Sequence, residues 1–224
     1  MLLTIAIPTF NRAPFLETNL LYLLAQYKNN FKIIVQDNAS TDNTKNVIDK
    51  YIDLGLPIEY EKNSKNLGWT KNFEICFKKC QTKYIMLIGD DDYLVDGGIK
   101  LILDNLKNSN PDLLFVKAFA TNKKVKSHLF STKESIINRE EFLLNTILQF
   151  RLISSHVINS KYIKRVKSYE GNFAHLHPIL ISLRDGKKFI CSSNLSPQFQ
   201  KNSPKNCKTI GFGSSKMRYP FICV

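Results

Sequence analysis

Three adjacent carboxylates, Asp90, Asp91 and Asp92, follow the apolar run YIMLI (84–88) with only Gly89 between. Like charges this close repel and raise one another's pKa, and a divalent cation relieves that repulsion while taking the oxygen ligands it prefers. A divalent ion held there would act as a Lewis acid on oxygen ligands. Along an extended chain the side chains at 90 and 92 point one way and that at 91 the other, so all three reach one ion only if the chain turns. One or two are therefore expected to touch a metal. A solvated acidic turn or a helix N-cap is the alternative.

Three further polar clusters recur upstream: PTFNR (8–12), QDNASTDNT (36–44) and NLGWTKN (66–72). Asp37, at the end of an apolar run, is placed to accept from a ring N–H, a contact that discriminates strongly, or to close an Asx-turn at the helix starting near Asp42. Gly68 allows backbone to approach a ligand closely. Lys71 either reaches a phosphate or is solvated on a helix face.

The elements that must position these clusters alternate. LLTIAIP (2–8), FKIIVQD (31–37), PIEYEKN (57–63), KYIMLIGD (83–90) and DLLFVKA (112–118) have the composition of buried strands. Between them lie helical stripes: Leu16, Leu20, Leu23, Leu24 and Tyr27; Val47, Ile48, Tyr51 and Ile52; Phe73, Cys76, Phe77 and Cys80; Ile99, Ile102, Leu103 and Leu106. Pro14 suits a first helical turn, and Ser40, Thr41 and Asp42 offer capping oxygens. The βαβαβαβαβ order predicts an α/β fold with a mainly parallel sheet flanked by helices on both faces, and ligands at the carboxyl ends of its strands.

Taken together and in this order, the four clusters resemble the nucleotide-binding half of family 2 glycosyltransferases with the GT-A fold, over about residues 2–105. The resemblance implies a nucleotide-diphosphate sugar donor and a role for each matching position. Pro8, Thr9 and the segment through Arg12 match the loop lining the nucleoside. Asp37 matches the carboxylate that binds the base, commonly uracil, with Asn38, Ser40 and Asp42 completing that signature. Asn66 and Gly68 match the element near the phosphates and sugar, and Lys71 stands where the family often has Arg. Gly89 replaces the first carboxylate of the common Asp-x-Asp-Asp pattern, so Asp91 falls on the position bearing Mn²⁺ or Mg²⁺, with Asp90 and Asp92 orienting ribose, metal-bound water or the loop. The implied organisation is a Rossmann-like donor half (1–118), a smaller acceptor-side half (119–192) and a basic C-terminal tail or partial extension (193–224).

In the second half, 139–150 is amphipathic, RLISSHVINSKYIKR (151–165) reads as a strand entering a short helix, and KKFICSS (187–193) as one more strand. Segment 174–186 carries Leu176, Ile179, Leu180 and Leu183 on one helical face, with Gly186 as its stop. An inverting transferase needs a general base at the acceptor hydroxyl, and the family usually has an acidic pair before this helix. Here Ala174 and His175 stand in its place. His175 is the candidate base, or a cap packed beside the helix; His177, Glu170 and Asp185 are the neighbouring candidates, and His156 reads as structural.

The net charge of +13 over 224 residues points to an anionic partner or to lysines solvated all round. With the final MRYPFICV, it raises an anionic membrane surface and a glycan or lipid-linked acceptor as partners. A basic nucleic-acid-binding protein would leave the aspartates and the Asp37 loop unused, and a pyrophosphorylase would need a Gly-rich phosphate loop after the first strand, where PTFNRAPF has no glycine. A transferase that binds its donor without turnover stays open because of the missing acidic pair. The five cysteines have no zinc or redox spacing. No run approaches the roughly 18 to 20 apolar residues of a membrane span, and the N-terminus lacks leader features, so a cytoplasmic protein, peripheral at most at the inner membrane face, is expected.

Overall fold

The computed structural model describes residues 1–116, 119–120, 135–146, 152–192 and 197–199. The first half alternates as predicted: β1 (Leu3–Thr9), α1 (Ala13–Gln26), β2 (Phe31–Asp37), α2 (Thr44–Asp53), β3 (Ile58–Lys62), α3 (Trp69–Lys78), β4 (Tyr84–Leu87), a short β5 (Asp92–Leu94), α4 (Gly98–Ser109) and β6 (Leu113–Val116). Beyond it lie β7 (Phe119–Ala120), β8 (Ser135–Ile137), α5 (Arg139–Thr146), a 3-10 turn at Ile153–Ser155, β9 (His156–Asn159), α6 (Ser160–Ile163), α7 (Leu176–Asp185), β10 (Phe189–Ser192) and β11 (Pro197–Phe199).

The main sheet has eight strands in the order β3-β2-β1-β4-β9-β6-β10-β8. All run the same way except β9, antiparallel to both β4 and β6, and β8, antiparallel to β10. Alternation within each strand divides the core in two. Leu3, Ile5 and Ile7 of β1 face Leu16, Leu20 and Leu23 of α1 and Ile102 and Leu106 of α4. Ala6, Ile34, Ile85 and Leu87 face the opposite layer, with Phe77 of α3 and Ile179 and Leu183 of α7. With both faces covered, strands read as apolar runs. Shortening Leu16, fully buried in this layer, to Ala would cost about 2–5 kcal/mol.

Helix ends follow the local chemistry. Pro14 lies in the first turn of α1, Gly97 precedes α4 at φ 81°, and Gly186 closes α7. Leu180, grouped with the apolar face of α7, is instead 52% exposed; a face read from spacing is wider than the strip the sheet covers. Cys76 is a buried free thiol, pushed up to about 12 by burial.

Two features were beyond sequence reading. β9 is inserted antiparallel between β4 and β6, and β11 pairs with β5, Phe199 opposite Asp92 and Pro197 opposite Leu94, in a second, three-stranded sheet with β7. Strands of two to four residues are too short to show a period. The rest of the 193–224 segment, including MRYPFICV, lies outside the described residues, as do all of 121–134. No helix among the described residues is long and apolar enough to cross a membrane.

Candidate active site

The parallel strands deliver their loops to one edge. β4 continues to Ile88, whose N–H donates to the Ala6 carbonyl, and residues 89–92 then turn, closed by Asp92 N–H to the Gly89 carbonyl at 3.1 Å. The turn does not merge the three carboxylates. Asp90 and Asp92 point inward, 4% and 2% exposed, while the Asp91 side chain is 36% exposed.

Each inward aspartate has its own anchor. Thr9 Oγ1 donates to Asp90 Oδ2 at 2.8 Å, and Arg12 Nη1 donates to Asp90 Oδ1 at 2.9 Å. Ser154 Oγ accepts from the Gly89 N–H at 2.8 Å and donates to Asp92 Oδ2. From α1, Asn19 Nδ2 donates to the carbonyls of Gly89 and Asp92 at 3.1 and 2.6 Å. Arg12 Nη2 also reaches Asp91 Oδ2 at 3.0 Å. Neither Ser154 nor Asn19 was singled out from the sequence. Ser154 sits beside His156 in SSHVINS, but its role exists only because antiparallel β9 carries that stretch to the ends of β4 and β6.

Burial dominates the electrostatics. It pushes Asp90 up to about 6, partly opposed by Arg12 and reinforced by Asp91. Asp92 is raised well above the carboxylate range by burial and then by the Asp91 charge. Burial opposes the charge of Arg12, yet Asp90 and Asp91 together raise its pKa. A divalent ion reverses this balance by favouring ionised carboxylates.

The residues fit such an ion. Asp92 Oδ1 is buried without a hydrogen-bond partner among the described residues, and Asp91 faces outward. No group of three or more Asp, Glu, His or Cys side chains among the described residues converges on one position, so water and ligand oxygens would supply the remaining positions. Gly89 makes the arrangement possible: a Cβ there would lie 3.0 Å from Asp91 Oδ1 and 3.1 Å from Asp92 Oδ2. The space a side chain would take at position 89 is the space the Asp91 and Asp92 carboxylates occupy.

The loops after β1 and β2 interlock beside this turn. The Asn38 N–H donates to the Thr9 carbonyl at 2.9 Å, Asn11 N–H to Ser40 Oγ at 2.9 Å, Thr41 N–H to Asn11 Oδ1 at 2.7 Å, and Ala13 N–H to Asp42 Oδ2 at 3.0 Å. Pro8 is the penultimate residue of β1, before a loop held on both sides. Asp37 is 1% exposed, its Oδ1 accepting from Ser40 N–H at 2.7 Å and its Oδ2 from the Tyr60 hydroxyl at 2.9 Å. Asp37 thus bonds its own loop, at the N–H three residues on, and neither makes an Asx-turn nor caps α2, which starts at Thr44. Tyr60 was missed; its signal was a lone aromatic in IEYEK, on the strand paired with β2.

Asn66 and Gly68 are held by a buried amide network. Asn38 Nδ2 donates to Asn66 Oδ1 at 2.8 Å, which also accepts from Gly68 N–H at 2.8 Å. Asn63 joins Asn38, Gln36 and Asn72. Gly68, at φ 79°, precedes α3. Lys71 is exposed and pairs with Glu74 at 2.9 Å, the solvated-face arrangement.

On the other side of the edge, His175 precedes α7, 6% exposed, its ring edge-on to Phe73 at 5.9 Å and near Phe173 at 6.3 Å. His156 is 1% exposed and pushed down to about 3 by burial and then by His175, in keeping with a structural role. His177 Nδ1 lies 2.9 Å from the Ser168 carbonyl. Asp185, at the far end of α7, pairs with Arg165 and Arg184, away from the edge, and Glu170 is exposed.

An eight-stranded, mostly parallel sheet carrying an aspartate turn and an interlocked pair of loops at one edge defines a GT-A type fold. The model of "Glycosyl transferase family 2" matches residues 4–166, and the chain belongs to that family. It is 29% identical over 190 residues to the abequosyltransferase RfbV of Salmonella typhimurium, covering 81% of this chain and 53% of that one. It is 28% identical over 127 residues to the poly(ribitol-phosphate) beta-N-acetylglucosaminyltransferase TarS of Staphylococcus aureus, covering 54% and 22%. The chain thus spans about half or less of these relatives' length. Among solved structures, TarS 1–349 in complex with UDP-GlcNAc superposes with a TM-score of 0.73 at 17% identity, covering 91% of this chain and 60% of that one. The mannosyltransferase PcManGT of Pyrobaculum calidifontis, in complex with GDP-Man and Mn²⁺, gives 0.65 at 11% identity, covering 91% and 58%.

Proposed function

We propose that this chain is a divalent-metal-dependent, inverting glycosyltransferase that moves a sugar from a nucleotide-diphosphate donor, a UDP-sugar in preference, to a glycan or lipid-linked acceptor in bacterial surface polysaccharide synthesis. The observation that carries it is the division of labour in the aspartate turn: two carboxylates anchored inward, one presented outward, beside the interlocked loops of β1 and β2.

Residues 1–118 are the donor half and 119–192 the acceptor side. The loop from Pro8 to Arg12 and the Asp37–Asn38 corner cradle the nucleoside, with the remaining lone pair of Asp37 Oδ2 accepting from the base. Asn66 and Gly68 bring backbone against the donor's phosphates, and Lys71 exchanges Glu74 for phosphate. Asp91 holds the metal, and Asp90 and Asp92 keep the turn in register. Bound Mn²⁺ or Mg²⁺ supplies Lewis-acid charge for the departing diphosphate. His175 takes the proton of the acceptor hydroxyl, a ring nitrogen of its imidazole acting as the general base. The abequosyltransferase and poly(ribitol-phosphate) beta-N-acetylglucosaminyltransferase among the relatives, with the UDP-GlcNAc and Mn²⁺ complexes of the structural neighbours, support this reading.

A second reading is favoured by one observation: the start of α7 holds Ala174 and buried His175 in place of an acidic pair. On it the chain binds donor without turnover. Transfer and donor hydrolysis, measured across a panel of nucleotide sugars with Mn²⁺ and with EDTA, separate the two. EDTA-sensitive turnover is expected; donor binding without turnover sinks the catalytic reading. Full activity of His175→Ala would move the base elsewhere. For the membrane face, co-sedimentation with anionic vesicles beyond that with neutral ones is expected, and equal binding removes it.

A further inference from the structure

We infer that Arg12 is the resident counter-charge of the aspartate turn: its guanidinium holds Asp91 until a divalent ion takes that carboxylate, and the released arm then serves the donor's diphosphate. This rests on the transferase reading above.

Arg12 forks across two carboxylates, Nη1 on Asp90 at 2.9 Å and Nη2 on Asp91 at 3.0 Å. A guanidinium presents its N–H groups in a rigid planar fork suited to two acceptors at once, whereas an ammonium is a compact point charge on a flexible stem. The two arms are unequal. The Asp90 side chain is 5% exposed and has Thr9 as a second partner, whereas Asp91 is 36% exposed and Arg12 supplies its hydrogen bond among the described residues. Exposed pairs are screened and weak, buried ones much less so. The arm on Asp91 is thus the one that yields.

Arg12 stays charged at any working pH, so guanidinium and a dication compete for Asp91. The side chain is 43% exposed, and its guanidinium carbon lies over the Phe15 ring, 5.0 Å from the centroid, a cation–π contact separate from the bond to Asp91. Once displaced, its charge needs an anion, and the diphosphate that arrives with the metal is one. Arg12 is therefore a positioning residue with opposite effects on two ligands: it opposes the bare metal and favours the nucleotide.

The test is Mn²⁺ binding by donor-free protein at pH 8, followed by the EPR signal of free Mn²⁺, for wild type, Arg12→Gln and Arg12→Lys, with far-UV CD as the folding control. Arg12→Gln is expected to bind Mn²⁺ roughly three- to tenfold more tightly, and Arg12→Lys to fall between. At saturating Mn²⁺, Arg12→Gln should bind UDP more weakly than wild type. Unchanged or weaker Mn²⁺ binding overturns the inference, since a residue that merely scaffolds the turn would loosen the site when removed. Should the variants misfold, the Nε signal of Arg12 in wild-type protein decides: it shifts on Mg²⁺ addition, and a fixed signal overturns the inference. Failure here with EDTA-sensitive transfer intact leaves the transferase standing; tighter Mn²⁺ binding by a protein that transfers no sugar does the reverse.

Discussion

Thr9 Oγ1 donates to Asp90 Oδ2 at 2.8 Å, joining positions 81 residues apart in the chain. Through that bond the loop after β1 and the turn after β4 become one unit, and the Asn38 N–H on the Thr9 carbonyl at 2.9 Å adds the loop after β2. Neighbouring strands in a parallel sheet make such a union possible, because β2, β1 and β4 lie side by side.

Asp91→Asn is the direct test of the metal assignment. With one outward carboxylate, losing its charge should lower turnover by about 100-fold or more and remove the Mn²⁺ dependence of donor binding. Steady-state rates and UDP binding with and without Mn²⁺ check it; unchanged turnover rules out Asp91 as the ligand.

Ser154→Ala removes a hydroxyl that bridges the Gly89 N–H and Asp92. Both partners are left unsatisfied at a buried site, and the supporting contact of a ligand turn is commonly worth about 10- to 100-fold in metal affinity or activity. Mn²⁺ titration of a variant with native CD should show weaker binding. Wild-type affinity would mean that the turn holds itself.

Gly89→Ala places a methyl 3.0 Å from Asp91 Oδ1 and 3.1 Å from Asp92 Oδ2. The carboxylates must part, at an overpacking cost of about 1–3 kcal/mol. A lower melting temperature together with weaker Mn²⁺ binding is the expected pair of outcomes, and native values of both would show that the cradle is roomier than its geometry implies.

Asp112 carries a pH dependence away from the site. Burial alone would raise its pKa, but Lys161 at 2.6 Å, the Tyr162 hydroxyl at 2.6 Å and the N–H groups of Lys187 and Lys188 lower it from 3.8 to about 2. A carboxylate whose folded pKa is depressed contributes stability above its unfolded value and loses it as pH falls through the folded one. Unfolding free energies from denaturant titrations should thus decline between pH 4 and pH 2 by on the order of 1–2 kcal/mol more in wild type than in Asp112→Asn. Parallel slopes would show that other carboxylates carry the acid sensitivity.

By itself the sequence determined the alternation of the first half, its strands and helices, and the edge at which Asp37, Asn66, Gly68 and Asp91 gather, because buried parallel strands and amphipathic helices leave local periods in the chain. Alternation along an extended chain also anticipated that Asp91 would part from Asp90 and Asp92, and they do part, although residues 89–92 form a turn instead of an extended strand. Only the tertiary structure decided that Arg12 lies on the aspartates, that Tyr60 holds Asp37, and that Ser154 and Asn19 clamp the turn. Those contacts link residues between 23 and 79 positions apart, and β9 brings one of them by entering the sheet against the common direction. Nothing in a local period records which strand will be whose neighbour; that is set by how two apolar layers close over one sheet.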